Sequence, residues 1–258
     1  MTLRIDLNSD IGESFGAWRM GDDAGVLAQV SSANIACGFH AGDADTMQRT
    51  VALAARHGVA IGAHVALPDL QGFGRREMQI GAAEAHALTL YQIGALAAFA
   101  RAAGQVLHHV KPHGALYNMA ARDADLAAAI AGAVHAFDPA LVLVGLAGSA
   151  LPRAGAALGL KVAHEAFADR RYRADGTLLP RRAAGAVIDD VDAAVAQGLA
   201  IATHGRVMAD DGSLLQLRAD TLCVHGDRPD AACFAARLRE SLGAAGVSIC
   251  ACHARIDT

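Results

Sequence analysis

Apolar and polar residues alternate from the start of the chain. Ile5 and Leu7 are apolar, while Asp6, Asn8 and Asp10 fall between them. A period of two predicts a β-strand with one apolar and one polar face. Similar short runs recur, and strands are predicted over Arg4–Ser9, Ser32–Cys37, Val59–Val65, Val106–Lys111, Leu141–Leu146, Lys161–Ala166 and Thr221–His225. Helical patterns lie between them. Leu88, Tyr91, Ala95 and Phe99 fall at helical spacing and predict one apolar face. Asp123 and Asp190 stand where N-caps belong. Gly58, Gly104 and Gly198 are expected to terminate helices, and Arg56 and His57 to occupy a last turn.

Strand–helix alternation along the whole chain predicts an α/β fold with a mainly parallel sheet. Seven units suit a closed (β/α)7-type barrel, with a doubly wound open sheet as the competing architecture. The chain has 258 residues, and such barrels run near ~250 residues as one domain. A single domain over residues 1–258 is expected, because no linker-like stretch divides it. Asp175-Gly176 and Pro180 predict a loop or small hairpin over Tyr172–Arg182.

Composition narrows the functional classes. A net charge of -4 and a pI near 6.3 argue against nucleic-acid binding. The Ala-rich segment Ala85–Ala100 is shorter than the ~20 residues of a membrane span, and His86 and Gln92 interrupt it. It is expected to be a buried helix. The N-terminus lacks the apolar core of a secretion signal, so a cytoplasmic location is expected. Five cysteines without a C-x-x-C argue against a disulfide framework or structural zinc, and Cys250 and Cys252 are expected to share one strand face. Lys111 and Lys161 are the only lysines among 22 basic residues. A lysine in so arginine-rich a chain suggests a need for a point charge or a tunable pKa.

Polar residues gather where the predicted strands end: Asp10, Asn34 and His40, His64, Lys111 and His113, Glu165 and Arg170, His225 and Asp227. Each taken singly reads more simply as structural. Their joint occurrence at successive strand ends points to one shared site, because barrel active sites occupy that face and unpartnered buried carboxylates are costly.

Longer blocks carry a family resemblance. Asp6–Gly16 (DLNSDIGESFG), Ser32–Asp43 (SANIACGFHAGD), Gly62-Ala63-His64, Pro68–Arg76 (PDLQGFGRR), His109–Asn118 (HVKPHGALYN), Glu165–Arg170 (EAFADR), Leu179-Pro180-Arg181 and Val224–Asp227 (VHGD) resemble the LamB/YcsF family. The chain departs from the family pattern at Ser9, Ala44 and Val65. None of these changes an ionisable group, but a cysteine nucleophile at position 9 is excluded.

The resemblance implies a seven-stranded β/α barrel similar to the deacetylase barrels. It also implies the A component of an ATP-dependent 5-oxoprolinase that works with separate B and C subunits. ATP, with Mg²⁺, is then the expected cofactor. The chain has no G-x-x-x-x-G-K-[ST] motif, so any ATP site is not a P-loop.

For that chemistry, Asp10 or Glu13 is the candidate base, with His40 or His64 carrying protons. Lys111 and His113 are candidates to stabilise charge on the activated oxygen. Arg76 or Arg170 would clamp a carboxylate or phosphate, with Gly72-Phe73-Gly74 either letting the loop that bears Arg76 move or forming a simple turn. Asp6, Asn8, Asn34, Glu165, His225 and Asp227 complete the expected substrate surroundings. Two other readings stand beside this one. The first is a metal-dependent deacetylase or amidohydrolase using Asp10, His40 and His64. The second is a lactam-binding subunit without chemistry of its own.

Overall fold

The computed structural model describes residues 3–226 and 230–252. The first half of the chain runs β1 (Arg4–Ile11), α1 (Asp23–Leu27), β2 (Ser32–Ala36), α2 (Ala44–His57), β3 (Ala60–Val65), α3 (Ala82–Ala102), β4 (Leu107–Pro112), α4 (Gly114–Arg122) and α5 (Ala124–Phe137). The second half runs β5 (Val142–Leu146), α6 (Ala150–Ala157), β6 (Lys161–Phe167), α7 (Val191–His204), β7 (Arg206–Met208), β8 (Leu214–Gln216), β9 (Thr221–His225), α8 (Ala231–Ala244) and β10 (Ser248–Ile249).

Seven of these strands form a closed parallel barrel in the order β1-β2-β3-β4-β5-β6-β9, and β9 pairs back onto β1. That closure decides for the (β/α)7 barrel and against the open sheet. Each of the seven predicted strands is present, with ends shifted by two residues or fewer. β1 runs on to Ile11 because Asp10 and Ile11 keep pairing with Asn34 and Ile35. Three short strands escape the pattern. β7 and β8 form an antiparallel hairpin, and β10 adds two residues beside the start of β1. They are too short for a period to register.

Apolar residues on the outer faces of the strands, such as Leu7, Ile35, Val110 and Leu222, are fully buried in the main core beneath the helices. Area removed from water drives this packing at about 25 cal/mol per Å². Asp123 and Asp190 do cap α5 and α7, accepting from Leu126 N and Ala193 N. Gly58 ends α2 in the left-handed conformation.

Gly198 does not end a helix. It lies inside α7, which closes seven residues later at Gly205, with φ 61°. A β-carbon at Gly198 would stand 2.9 Å from Leu238 Cδ1 and 3.1 Å from Ala168 Cβ. The glycine therefore allows close packing against α8 and the barrel. The face of α3 also differs from expectation. Ala85, Thr89, Gln92, Ile93, Leu96 and Ala100 are buried, whereas Tyr91 is 66% exposed and stacks on Phe39. Gln92 turns inward because its amide satisfies both the N–H and the carbonyl of Ala66. Cys250 and Cys252 follow β10 rather than lying on it, since pairing stops at Ile249.

Candidate functional site

Inward-facing polar residues fill the barrel in layers. In the lower layer Asp6 accepts from Ser31, Ser32 and Thr221, with oxygen–oxygen distances of 2.6–2.8 Å. Asn8 donates to Thr221 and to Glu165, and Asn34 donates to both Asn8 and Asp10. His109 Nε2 lies 2.8 Å from Asn34 Oδ1. Burial pushes the Asp6 carboxyl above its usual range, despite those hydroxyl donors.

The expected substrate contacts Asp6, Asn8, Asn34 and Glu165 therefore belong to the barrel interior. They bond mainly to one another and to Lys111, Ser31, Ser32, His109 and Thr221, and they do not line the mouth cavity. Period-two alternation shows that a residue points inward but not how deep it lies. His109 and Thr221 complete this network and were not singled out by the strand-end criterion.

Lys111 stands at the boundary between interior and mouth. Its ammonium meets Asp10 Oδ1 at 2.9 Å, Glu165 Oε1 at 2.7 Å and Asn8 Oδ1 at 3.2 Å, with Cys223 Sγ also at 3.2 Å. Burial alone would lower its pKa, but Asp10, Cys223 and Glu165 hold it well above the usual lysine value. Burial alone would raise Asp10, but His64 and Lys111 hold that carboxyl well below its usual range. The two groups are thus an ion pair. Three oxygens use the three ammonium protons, which leaves Lys111 to hold Asp10 ionised rather than to meet a substrate oxygen.

Above Lys111 opens a cavity of about 1170 Å³, lined by Asp10, His64, His113, Arg76, Arg170 and His225 among others. His225 Nδ1 lies 2.9 Å from the buried carboxylate of Asp169. This pairing fixes the ring, and Asp169 is a site residue that the sequence reading did not assign. Glu13 and His40 lie behind the cavity wall. His40 Nε2 is 3.1 Å from Glu13 Oε1, and the His40 ring stacks on His113 at 3.8 Å. Burial, reinforced by neighbouring histidines, keeps the His40 and His113 pKa values well below the ordinary range.

The loop after β3 is a tight turn. Gly74 N donates to Asp69 O, and Arg76 pairs with the buried Asp69 carboxylate. Phe73, at φ 55°, is the only non-glycine residue with positive φ among those described, and its carbonyl accepts from His113 Nε2. A β-carbon on Gly74 would come within 2.9 Å of both His40 and His113. Arg170 donates to the carbonyls of Leu179 and Ala186. It thereby braces the expected turn at Asp175-Gly176, where Arg173 N bonds Thr177 O. Asp227 lies outside the described residues.

Among the described residues, two donor groups are close enough to hold a metal: Glu13, His40, His64 and His113, or Asp10, Cys223 and His225. The expected trio is therefore divided. His40 and His64 share one group and Asp10 belongs to the other, although Asp10 Oδ2 also lies 3.3 Å from His64 Nε2.

A closed parallel β/α barrel with a cavity and an ionised carboxylate–lysine pair at its mouth is an architecture suited to small-molecule chemistry. The chain belongs to the LamB/YcsF family, which it matches over residues 5–256. It is 60% identical over 251 residues to the 5-oxoprolinase A component of Methylococcus capsulatus, covering 97% of this chain and 96% of that protein. The crystal structure of a "Lactam Utilization Protein" from Thermus thermophilus superposes with a TM-score of 0.91 at 49% identity, covering 96% and 100% of the two chains. A "T48 deacetylase with substrate", with TM-score 0.50 and 14% identity over 96% of this chain and 87% of the other, shares the fold alone. Among the described residues no helix is long and apolar enough to cross a membrane.

Proposed function

We propose that the chain is the A component of an ATP-dependent 5-oxoprolinase, opening the lactam of 5-oxo-L-proline to L-glutamate together with B and C subunits. The name of the 60%-identical relative supports this reading. The observation that carries it is the ionised Asp10 at the cavity floor, held between Lys111 and His64.

A lactam carbonyl is a poor electrophile. Phosphoryl transfer from ATP, with Mg²⁺, supplies the activation. The lactam oxygen takes the phosphoryl group and ADP leaves. One water adds to the carbonyl carbon, and the ring C–N bond breaks as the nitrogen takes a proton to become the amine. A second water releases phosphate from the resulting acyl phosphate to give glutamate. His225, oriented by Asp169, accepts the proton of the attacking water at Nε2. Asp10 holds that water and favours the imidazolium that forms. Lys111 keeps Asp10 ionised. Arg170 retains N–H donors beyond its two carbonyl bonds, and these suit the substrate carboxylate. Metal-dependent amide hydrolysis is the second reading, favoured by the donors around His64 and His113.

Parallel assays of ADP and glutamate test the proposal, using this chain alone, the B and C subunits alone, and all three together. The expected result is glutamate formed with ADP only when all three are present. Glutamate from B and C alone contradicts the proposal. ATP-independent glutamate formation by this chain favours the second reading.

A further inference from the structure

The contact between His64 and His113 lacks a proton donor. His64 Nδ1 lies 3.0 Å from the Lys111 carbonyl oxygen, and His113 Nε2 lies 2.9 Å from that of Phe73. Carbonyl oxygens only accept, so each of these nitrogens carries its ring hydrogen. A neutral imidazole has one N–H. With both rings neutral, His64 Nε2 and His113 Nδ1 face each other as lone pairs, 2.9 Å apart, and only a proton or a metal ion between them resolves the contact and accounts for the hold of His64 on Asp10. The nearest carboxylates add negative charge. Asp10 Oδ2 is 3.3 Å from His64 Nε2, and Glu13 Oε1 is 3.8 Å from His113 Nδ1. Such an arrangement calls for a positive centre.

We propose that His64 Nε2, His113 Nδ1 and Glu13 Oε1 form a binding site for a first-row divalent cation of the zinc type. Two imidazoles and a carboxylate suit such ions. Nitrogens 2.9 Å apart can both lie at about 2.0–2.1 Å from one centre. The two backbone carbonyls supply the outer hydrogen bonds that ordinarily fix a metal-bound histidine. His64 and His113 also line the large cavity, so an open coordination position faces it. His40 is a positioning residue for Glu13. Its Nδ1 is buried without a partner, unlike the outer nitrogen of a ligating histidine. The alternative group at Asp10, Cys223 and His225 is disfavoured because the Lys111 ammonium already occupies it, 2.9 Å from Asp10 Oδ1 and 3.2 Å from Cys223 Sγ.

The full chain, stripped of metal by chelator and dialysis, is titrated with Zn²⁺ by calorimetry and with Co²⁺ by absorption spectroscopy. The expected result is one ion per chain, with Co²⁺ ligand-field bands and no thiolate charge-transfer band. His113→Ala should weaken binding about tenfold or more, while His57→Ala, at the exposed end of α2, binds like the parent. Absence of stoichiometric binding overturns the proposal and leaves a shared proton between the two rings. Unchanged binding by His113→Ala, or a thiolate band from Cys223, overturns it as well. The Co²⁺ spectrum of the unsubstituted chain decides the ligand type even if the variant fails to fold. Neither lactam nor ATP enters the measurement, so its failure is distinct from failure of the proposed reaction.

Discussion

Lys111 is only 2% exposed, and both Asp10 and Glu165 lie within 3 Å of its nitrogen. Replacing it with Met would leave two carboxylates sharing one buried space. Breaking a buried pair by removing one partner typically costs about 3–5 kcal/mol. Denaturant unfolding of Lys111→Met should show a loss of that order at pH 8. The loss should shrink as pH falls, because a protonated carboxyl needs no counter-charge. Adding Glu165→Gln should restore part of the stability, and a double variant no more stable than the single one would contradict the pairing. The unusual retention of Lys111 was visible in the sequence. Its role was not, because the three oxygens that occupy its protons come from β1 and β6, far away in the chain.

At the scale of elements, long strands with a clear period were legible and short ones were not. The seven barrel strands follow from alternation, whereas β7, β8 and β10 have two or three residues each. Glycine was ambiguous for a physical reason: it serves both as a helix terminator and as a point of close approach. Gly198 and Gly94 separate these local demands. Gly198 in α7 is crowded by Leu238 and Ala168, while a β-carbon on Gly94 in α3 meets nothing within 4 Å. Gly198→Leu should lower stability by about 1–3 kcal/mol through overpacking. Gly94→Ala should raise it by about 0.5–1 kcal/mol by restricting the unfolded backbone and favouring helix. Chemical-denaturation midpoints check both, and equal effects at the two positions would refute this account of helix packing.

Across the whole molecule, barrel closure brings together residues from both ends of the sequence. β1 supplies Asp10 and β9 supplies His225, paired directly in register. β3 and β4 add His64 and Lys111, also in register. Polar strand ends pointed to this mouth from sequence alone, and Asp10, His64, Lys111, His113, Arg76, Arg170 and His225 all line its cavity. Depth within the barrel was not legible, which is why Asp6, Asn8, Asn34 and Glu165 prove to be interior residues. Asp169 was overlooked because its part is to hold His225 from behind.

The proposed chemistry depends most on the negative charge of Asp10. Asp10→Asn keeps the side-chain shape while removing that charge. The direct measurement is the rate of glutamate formation by the three-component assembly carrying this substitution, with folding verified by circular dichroism. The expected rate is lower by roughly 10²–10³, comparable to the loss of one strong electrostatic group in an active site. A folded assembly that turns over 5-oxoproline at the parent rate would contradict the account.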